Sequence, residues 1–480
     1  MKRLPIALTL SLNLWVLACS GAPEGPSLGP LFDEYDLTLT PGHRMEALGP
    51  FYYREEQPSE RVWAVPPLLS YERDPEIDVS EFDFLYPIVS YDRYGTQHRW
   101  QVMQLLSFGG GPTTQGTDKN RFTLFPIYFQ QRSTDPAEDY TAVFPFYGHL
   151  RHRLFRDEIF FVMFPIYSET RKRDVVTDNY VYPFFDVHHG DGLRGWQFWP
   201  FFGQEHKDIT FRTNGFNEVQ PVGGRESFFV LWPLFMKQTT GIGTADPSRQ
   251  VVSFPAYTQE RSPKRDSTYV LWLFGHIDDR AKKYREWDEP WPFIEFARGE
   301  GKTTSRVWPF FSQAHNATNE DRFYLWPVYK YERFHNDALD HRRTRICFFL
   351  YSDTTDKNVE TGGFREEANM WPLFTRRRDF DGNRRLQVLA LLEPFVPGAH
   401  KIRRDYSPLW SVWRQEANPR TGASSQSLLW NLYRGDKSPK AKKYSALFGL
   451  FQYQADSEGK RLRLFYIPVS KSKPPRASGP

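Results

Sequence analysis

The sequence predicts an all-β protein, an antiparallel up-and-down meander of about 20 repeated strands that forms a coiled sheet or a closed barrel. Aromatic residues make up 17% of the 480 residues, and 37 residues are prolines. A short aromatic–proline–aromatic block recurs along most of the chain, and short charged or turn-forming linkers separate its copies. Aromatic residues favour strands, and short linkers join strands that are antiparallel neighbours.

The repeated block has the pattern apolar–aromatic–Pro–apolar–aromatic. The prolines of its clearest copies are Pro87, Pro126, Pro145, Pro165, Pro183, Pro200, Pro233, Pro255, Pro292, Pro309, Pro327 and Pro372. From Pro126 to Pro200 the successive spacings are 19, 20, 18 and 17 residues. Degenerate copies without the proline continue this rhythm around Trp272, Trp410 and Trp430. So regular a period indicates one repetitive architecture.

Each period contains one apolar block of about eight residues, which we interpret as one strand. A parallel solenoid coil of this size would need two or three inward strands per turn, more than one block supplies. Residues before the proline, such as 160–164, are apolar at every position, whereas residues after it, such as 328–331, alternate. We therefore expect strands buried on both faces before the proline and amphipathic after it. A mid-strand proline removes a ladder hydrogen bond, so we also expect a row of bulges.

The amino terminus has the three parts of a secretion signal. Lys2 and Arg3 precede an apolar run over residues 4–17, which is too short to span a bilayer, where about 20 residues are needed. The run ends in Val16-Leu17-Ala18-Cys19, which resembles the bacterial lipobox. That resemblance implies cleavage before Cys19, acylation of Cys19 with palmitate-type chains, and, since Ser20 follows, delivery to the outer membrane of a Gram-negative cell. Three acyl chains exceed the two signals that stable anchoring needs.

These features divide the chain into four parts. We expect a signal peptide over 1–18, a lipidated amino terminus and linker over 19–47, the repeat domain over 48–469 and a disordered basic tail over 470–480. Once Cys19 is lipidated, Cys347 is the other cysteine of the sequence and forms no intramolecular disulfide; we expect it to pack as a small hydrophobe.

Charge and motifs exclude several functional classes. The 62 basic and 58 acidic residues give a net charge of +4, which argues against a nucleic-acid surface. The richest polar cluster, at 186–191, contains His188 and His189, which would point to opposite faces of a strand. We expect a solvated turn there, no metal site and no cofactor. The sequence contains no nucleophile elbow, phosphate-binding glycine loop or zinc-protease helix motif.

Two acidic clusters could offer carboxylate pairs for glycoside hydrolysis. They are Glu286, Asp288 and Glu289 in one linker, and Glu366 and Glu367 in another. Hydrolase pairs usually come from separate elements, and neighbouring carboxylates in a linker mostly serve solubility. We therefore expect a protein that is not an enzyme and has no catalytic residues.

The aromatic side chains are the remaining candidates for function. We expect the tryptophans beside the prolines to form the core, namely Trp199, Trp232, Trp308, Trp326 and Trp371. Tyr91, Tyr331 and Trp413 lie nearer the expected strand ends and are candidates for exposure. There they could stack on an envelope polysaccharide or contact another envelope protein.

The sheet could be coiled or closed into a barrel, and each arrangement implies a different function. A coiled, water-soluble sheet indicates an outer-membrane-anchored lipoprotein with a structural or binding role. The alternative is an outer-membrane barrel that serves as a channel or export protein, since eight residues span about 26 Å, near the roughly 25 Å apolar belt of such barrels. The doubly apolar blocks and a basic tail at 471–476, in place of a terminal aromatic strand, favour the soluble sheet.

Overall fold

The computed structural model describes residues 27–469, except 113–115, 117, 214–218, 397, 399 and 458. It is all-β, as predicted. Forty-three strands form one antiparallel sheet in which each strand pairs with the strands before and after it in the chain. The hairpin β20–β21 lies outside this sheet, between β19 and β22.

The first fifteen strands are β1 (Phe32–Asp36), β2 (His43–Ala47), β3 (Tyr52–Glu56), β4 (Arg61–Val65), β5 (Leu69–Asp74), β6 (Val79–Phe84), β7 (Val89–Tyr94), β8 (Gln97–Val102), β9 (Leu106–Gly110), β10 (Lys119–Leu124), β11 (Tyr128–Ser133), β12 (Tyr140–Val143), β13 (Tyr147–Arg153), β14 (Arg156–Val162) and β15 (Tyr167–Lys172). The next fifteen are β16 (Val175–Tyr180), β17 (Phe185–Gly190), β18 (Leu193–Phe198), β19 (Phe202–Lys207), β20 (Thr210–Thr213), β21 (Val219–Val222), β22 (Gly224–Val230), β23 (Phe235–Ile242), β24 (Ser248–Ser253), β25 (Tyr257–Arg261), β26 (Arg265–Val270), β27 (Phe274–Asp279), β28 (Tyr284–Asp288), β29 (Ile294–Gly299) and β30 (Thr303–Val307). The last are β31 (Phe311–His315), β32 (Asn319–Tyr324), β33 (Tyr329–His335), β34 (Leu339–Ile346), β35 (Tyr351–Asn358), β36 (Phe364–Met370), β37 (Phe374–Arg378), β38 (Arg384–Val388), β39 (Trp413–Asn418), β40 (Ala423–Leu428), β41 (Tyr433–Lys437), β42 (Lys442–Ala446), β43 (Phe451–Asp456), β44 (Gly459–Leu464) and β45 (Ile467–Pro468).

Helical structure is scarce. The described residues contain 3-10 helices at Gly49–Phe51 and Pro136–Glu138, a π-helix at Ile402–Tyr406 and an α-helix at Ser407–Trp410. None of these described helices has the length and hydropathy needed to cross a membrane.

Each sequence repeat contains two strands, so the predictions of one strand per repeat and of mid-strand prolines are wrong. Pro126, for example, lies in the turn between β10 and β11. Its preceding peptide bond is cis, which at the third turn position makes residues 124–127 a type VI turn. The Ile127 N–H donates to the Leu124 carbonyl oxygen at 2.7 Å. The structure therefore has a row of turns where we expected a row of bulges. In a turn, the missing N–H of proline does not interrupt the hydrogen bonds between strands.

The sheet also begins earlier than the sequence indicates. Residues 32–47, which we expected in a linker, form β1 and β2, paired in register from Phe32 opposite Ala47 to Asp36 opposite His43. The repeat domain therefore extends beyond its predicted boundary at residue 48.

The turns divide the ribbon into two edges. Within the 43-stranded sheet, we call the turns that follow even-numbered strands the proline rim and those that follow odd-numbered strands the charged rim. The proline rim comprises residues 48–51, 66–68, 85–88, 103–105, 125–127, 144–146, 163–166, 181–184, 199–201, 231–234, 254–256, 271–273, 289–293, 308–310, 325–328, 347–350, 371–373, 429–432, 447–450 and 465–466. After β38, a long insertion at 389–412 replaces the short turn.

The sheet is a single layer over most of its length, because the elements that contact each other extensively are chain neighbours in the described residues. Its two faces still differ. Ser168, Asn179 and Asp186 share one face and are only 5%, 8% and 5% exposed, whereas Tyr180 on the opposite face is 44% exposed. Since no second layer covers these strands, the buried face is the concave one. We call it the inner face and the other the outer face.

The ribbon curves until residues near its two ends are in contact. Lys401 Nζ lies 2.8 Å from Glu81 Oε2, and Arg404 Nη1 lies 3.1 Å from Glu60 Oε1. Thr38 Oγ1 donates to Ser425 Oγ at 2.7 Å. We call the contacts of residues 27–86 with residues 401–452 the clasp. In the described residues β1 pairs with β2 alone and β45 with β44 alone, so the sheet is coiled and not closed by strand pairing.

The tryptophans expected in the core lie in the proline rim instead. Trp232, Trp308 and Trp326 are 48%, 40% and 41% exposed, and Trp199 and Trp371 are half-buried. The turn position explains the error, because a turn at the edge of a single layer has no second sheet to pack against. Cys347 likewise lies half-buried in the proline rim as a free thiol. Buried apolar residues instead form small inner-face clusters, the largest around Phe129, Tyr140, Ala142, Leu150 and Phe161.

Candidate lipid-binding surface

The outer face carries a nearly continuous apolar row beside the proline rim. In this first row, each member is the direct cross-strand partner of the next, apart from a break at β28. Its members are Val65, Leu69, Phe84, Val89, Val102, Leu106, Leu124, Tyr128, Val143, Tyr147, Val162, Tyr167, Tyr180, Phe185, Phe198, Phe202, Val230, Phe235, Ser253, Tyr257, Val270, Phe274, Ile294, Val307, Phe311, Tyr324, Tyr329, Ile346, Tyr351, Met370, Phe374, Val388, Trp413, Leu428, Tyr433, Ala446, Phe451 and Leu464. Ser253 is the polar member.

The proline rim itself exposes large apolar side chains. Phe125, Ile127, Phe146 and Ile166 are 49%, 53%, 60% and 55% exposed. Exposed apolar patches on soluble monomers rarely exceed a few hundred Å², so a rim of this length marks an interaction surface.

In several turns of the rim, the backbone N–H groups donate hydrogen bonds within the turn or to the neighbouring turn. In the turn at 144–146, Phe144 N–H donates to the Ile127 oxygen and Phe146 N–H to the Val143 oxygen, at 2.7 and 2.8 Å, and proline between them has no N–H. In the next turn, Met163 N–H donates to the Phe146 oxygen at 2.6 Å. Adjacent turns are thus hydrogen-bonded to each other, which lowers the penalty for taking them out of water.

Aromatic rings pack from one turn to the next along the rim. Ring centroids are 5.4 Å apart for Phe144 and Phe164, and 5.5 Å apart for Phe164 and Tyr182. Trp308 and Trp326 are 6.0 Å apart in the same relationship. Such edge-to-face and tilted pairs favour an ordered surface over a set of independent side chains.

The charged rim has the opposite character. Lys283 Nζ lies 2.8 Å from Glu300 Oε2 between two of its turns, and both side chains are more than two-thirds exposed. Apolar exceptions are Leu154 and Phe155, 59% and 96% exposed, and the single side chains of Ile77, Val359 and Phe380 in other turns. Polarity therefore changes across the width of the ribbon, from an apolar edge to a charged one.

The structure places the predicted binding aromatics on the outer face but not together. Tyr91 is on β7 with its ring 4.6 Å from that of Trp100, Tyr331 is on β33 beneath Arg322, and Trp413 begins β39. All three are partly exposed. Their binding to a polysaccharide stays a prediction.

The histidine cluster lies in strand β17, so the expected solvated turn is wrong. His188 points to the inner face, where Nε2 lies 2.7 Å from Asp186 Oδ1 and Nδ1 lies 3.0 Å from Thr177 Oγ1. His189 lies on the outer face, 3.7 Å from Asp178 Oδ2. The expectation that the two histidines point to opposite faces is confirmed.

One acidic cluster contains Glu295, which the sequence did not indicate, and not Glu289. Glu286 and Asp288 on β28 join Glu295 on β29, with ligand oxygens within 4.8 Å of one another. Lys302 Nζ lies between two of them, 2.6 Å from Glu286 and 2.7 Å from Glu295. Burial raises the pKa of Asp288 to about 6, helped by the charges of Glu286 and Glu295. Asp288 is 0% exposed, so a substrate cannot reach it, and the cluster is an internal ion network.

The predicted lipidation site, Cys19, lies outside the described residues. Ser27, the first described residue, lies against the proline rim at 447–450, and Gln452 Nε2 donates to the Ser27 carbonyl oxygen at 2.9 Å. No protein-family model matches the chain, and a search of curated proteins found no match.

Proposed function

We propose that the protein is a non-enzymatic lipoprotein of the bacterial outer membrane with a structural role in the envelope, anchored through Cys19. Its proline rim lies in the acyl layer of one leaflet. The observation that carries this proposal is the apolar first row, which runs beside the rim from β4 to β44. Its length and exposure exceed what a soluble monomer keeps in water.

The turn backbone supports a lipid environment. Hydrocarbon contains no water to satisfy N–H groups, so a loop enters it only when its own hydrogen bonds are made. The rim turn at 163–166 meets this condition, because Met163, Phe164 and Ile166 each donate an N–H to a carbonyl oxygen at 2.6, 2.7 and 2.8 Å.

The width of the ribbon supports insertion into one leaflet over the alternative of a spanning channel. A strand such as Tyr167–Lys172 has six residues, about 20 Å at strand rise, and its outer face already carries Glu169 and Arg171. A spanning barrel needs an apolar band of about 25 Å. The apolar part of this ribbon is shorter than that and lies at one edge.

The position of Ser27 supports insertion of the acyl anchor and the rim into the same leaflet. Cys19 precedes Ser27 by eight residues, which reach at most about 29 Å when fully extended. Because Ser27 lies at the rim turn 447–450, this segment is long enough for acyl chains on Cys19 to enter the leaflet that the rim enters.

The proposal is tested by vesicle flotation of a chain exported with a cleavable signal and the substitution Cys19→Ala, which removes the acyl anchor. We expect this chain to float with zwitterionic phosphatidylcholine vesicles and to require detergent in their absence. Replacing Ile127, Phe146 and Ile166 together by Ser should weaken flotation at least tenfold, since each is exposed on the rim.

The control is Leu154→Ser with Phe155→Ser, which removes apolar side chains that are at least comparably exposed, but from the charged rim. Flotation of this control should be unchanged. A Cys19→Ala chain that is monomeric without detergent and fails to float contradicts the proposal.

A further inference from the structure

The first strands of the ribbon carry a second apolar row above the first. On the outer face of β4–β10, the next outward-facing position after the first row is aromatic in every strand. Its members, each the cross-strand partner of the next, are Trp63, Tyr71, Phe82, Tyr91, Trp100, Phe108 and Phe122. We call this the aromatic row. Its rings interact, with centroids 6.1 Å apart for Trp100 and Phe108. The row ends at β11, where Gln130 takes the same position.

A third outer row, above the aromatic row, is basic. It contains Arg61, Arg73, Arg93 and His98, with Ser80 on β6 and Gly110 on β9 as neutral members, and Arg61 is the direct cross-strand partner of Arg73. Like charges in direct opposition are destabilising unless an anion compensates them. Arg93 has such a partner, Asp78 at 2.8 Å.

Arg61 and Arg73 lack a compensating carboxylate. Both are exposed, and within the described residues neither forms an ion pair with a carboxylate. Glu56, the cross-strand neighbour of Arg61 on β3, is held by Arg54 at 2.5 Å. The pair therefore presents uncompensated positive charge to the solvent side of the aromatic row.

The heights of these rows match the layers of a lipid leaflet. The aromatic row lies about four residues from the apex of a rim turn, or about 13 Å at strand rise. The basic row lies about 7 Å farther from the rim. Half of a hydrocarbon core is about 15 Å thick. With the rim near the bilayer midplane, tryptophan and tyrosine lie at the interface, where they are enriched in membrane proteins, and arginine lies at the phosphates.

The rest of the ribbon lacks this order. At the height of the aromatic row, later strands carry charged residues such as Glu169 on β15, Asp178 on β16, Lys237 on β23 and Arg322 on β32. Charged side chains at that height limit how far those strands enter hydrocarbon.

We propose that the outer face of β4–β10 enters the leaflet more deeply than the rest of the ribbon and binds the phosphate groups of membrane lipids through Arg61 and Arg73. This inference rests on the proposed function, because it specifies which part of the rim enters deepest and which lipid group it meets. Charge complementarity identifies the phosphate, and continuity with the apolar first row identifies the membrane lipid as its source.

The depth is measured in the Cys19→Ala chain with Cys347→Ser, labelled with an environment-sensitive fluorophore at Trp100→Cys or at Gln313→Cys. Gln313 is the matched control, because it has the same height on β31 outside the aromatic row. Nitroxide lipids labelled near the headgroup should quench the probe at position 100 at least threefold more than the probe at position 313. Equal quenching at both positions, with vesicle binding intact, overturns the deeper insertion and leaves the proposed function standing.

The phosphate contact is measured with vesicles of phosphatidylcholine containing 30% phosphatidylglycerol. The double variant Arg61→Gln, Arg73→Gln should bind roughly 30-fold more weakly than the parent chain at low salt, given the usual contribution of a surface arginine. The matched control is Arg249→Gln, Arg261→Gln, another exposed cross-strand arginine pair at the same height on β24 and β25. Equal weakening of both pairs, or of neither, overturns the assignment.

Discussion

Glu46 on β2 and Asn431, in the turn between β40 and β41, are joined by a 2.8 Å hydrogen bond although 385 residues separate them. Beside them the guanidinium of Arg434 stacks 3.2 Å from the ring centroid of Tyr35. In a sheet whose strands pair only with the sheet strands next to them in chain order, these contacts require the whole ribbon to curve. The clasp therefore fixes the curvature that gives the ribbon an inner and an outer face.

Removing Arg404 should open the clasp. Its side chain is 6% exposed and holds Glu60, Glu72 and Asp405 at 3.1, 2.5 and 2.7 Å. Arg404→Met leaves the buried Asp405 and the partly exposed Glu60 and Glu72 without their cation, a loss of about 3 kcal/mol. Because long repeats unfold in parts, the measurement is hydrogen exchange of β1–β6, which should lose protection while β20–β30 keep theirs.

The control is Arg420→Met, which removes an exposed pair with Asp381, 68% and 59% exposed. That change should alter protection by less than about 1 kcal/mol. Unchanged exchange of β1–β6 in Arg404→Met would show that the clasp is not what holds the ends together.

Acidification should stabilise the clasp through Asp33. Burial raises the pKa of Asp33 to about 6, although Arg434 acts to lower it; Ser27, Glu46 and Lys443 also face it. The unfolded value is about 3.9, so the folded state binds the proton more tightly. The stabilisation of the folded state by the protonated Asp33 carboxyl group is fully present below about pH 4 and is lost as the pH rises through 6.

Wild type should therefore gain about 2 kcal/mol over Asp33→Asn when the pH falls from 7.5 to 4.5. Exchange protection of β1 and β2, corrected for the intrinsic rate at each pH, measures this difference. A difference that stays constant across this range contradicts the assignment to Asp33.

Gly203 should not tolerate a side chain. It is the inner-face partner of Phe229, and a Cβ at Gly203 would overlap the edge of that ring. We expect Gly203→Ala to cost about 1–3 kcal/mol in the urea unfolding of this region. Gly363→Ala is the control, since its Cβ would meet nothing closer than 3.4 Å. Adding Phe229→Leu should restore part of the loss, and no restoration would mean that another contact causes it.

Lys302 should stabilise the fold at neutral pH by compensating the charge of the acidic cluster. Glu286 and Glu295 are 9% and 7% exposed, and Lys302→Met leaves both without their ammonium group. We expect a loss of about 2 kcal/mol at pH 7.5, because Lys302 is 32% exposed and solvent screens part of the interaction. The loss should shrink at pH 4.5, because burial raises the pKa of Asp288 to about 6 and its carboxyl group is then neutral beside the ammonium site.

Lys283→Met serves as the control, because its pair with Glu300 is 71% and 77% exposed and contributes little. Urea unfolding at both pH values measures the difference. An equal loss at pH 4.5 and 7.5 would show that packing of the lysine stem, and not its charge, is responsible.

The meander could be predicted from sequence because its signal is local. The apolar blocks and short polar linkers recur, and each strand pairs with its neighbour in the chain. The strand count could not be predicted in the same way. The block around Pro126 reads as one strand because its aromatic residues favour strands, yet it spans the end of β10, a turn and the start of β11. The proline at its centre was the signal for that turn.

The predicted positions of the apolar residues were wrong for the same reason. With the proline in mid-strand, Trp232 and Trp326 read as core; with the proline in a turn, they lie at an exposed edge. The clasp had no sequence signal, since Lys401 and Asp83 are 318 residues apart. The third carboxylate of the acidic cluster, Glu295, follows from the register of β28 and β29, which spacing alone does not fix.

The central claim is that the proline rim, and not the charged rim, lies in the acyl layer. The most direct measurement places a fluorophore at Ile127→Cys or at Phe155→Cys in the Cys19→Ala, Cys347→Ser chain, because both positions are exposed on opposite rims. We expect lipids with a nitroxide near the acyl terminus to quench the probe at position 127 strongly and the probe at position 155 hardly at all. Equal quenching at the two positions, or none at position 127 in vesicle-bound protein, would contradict the claim.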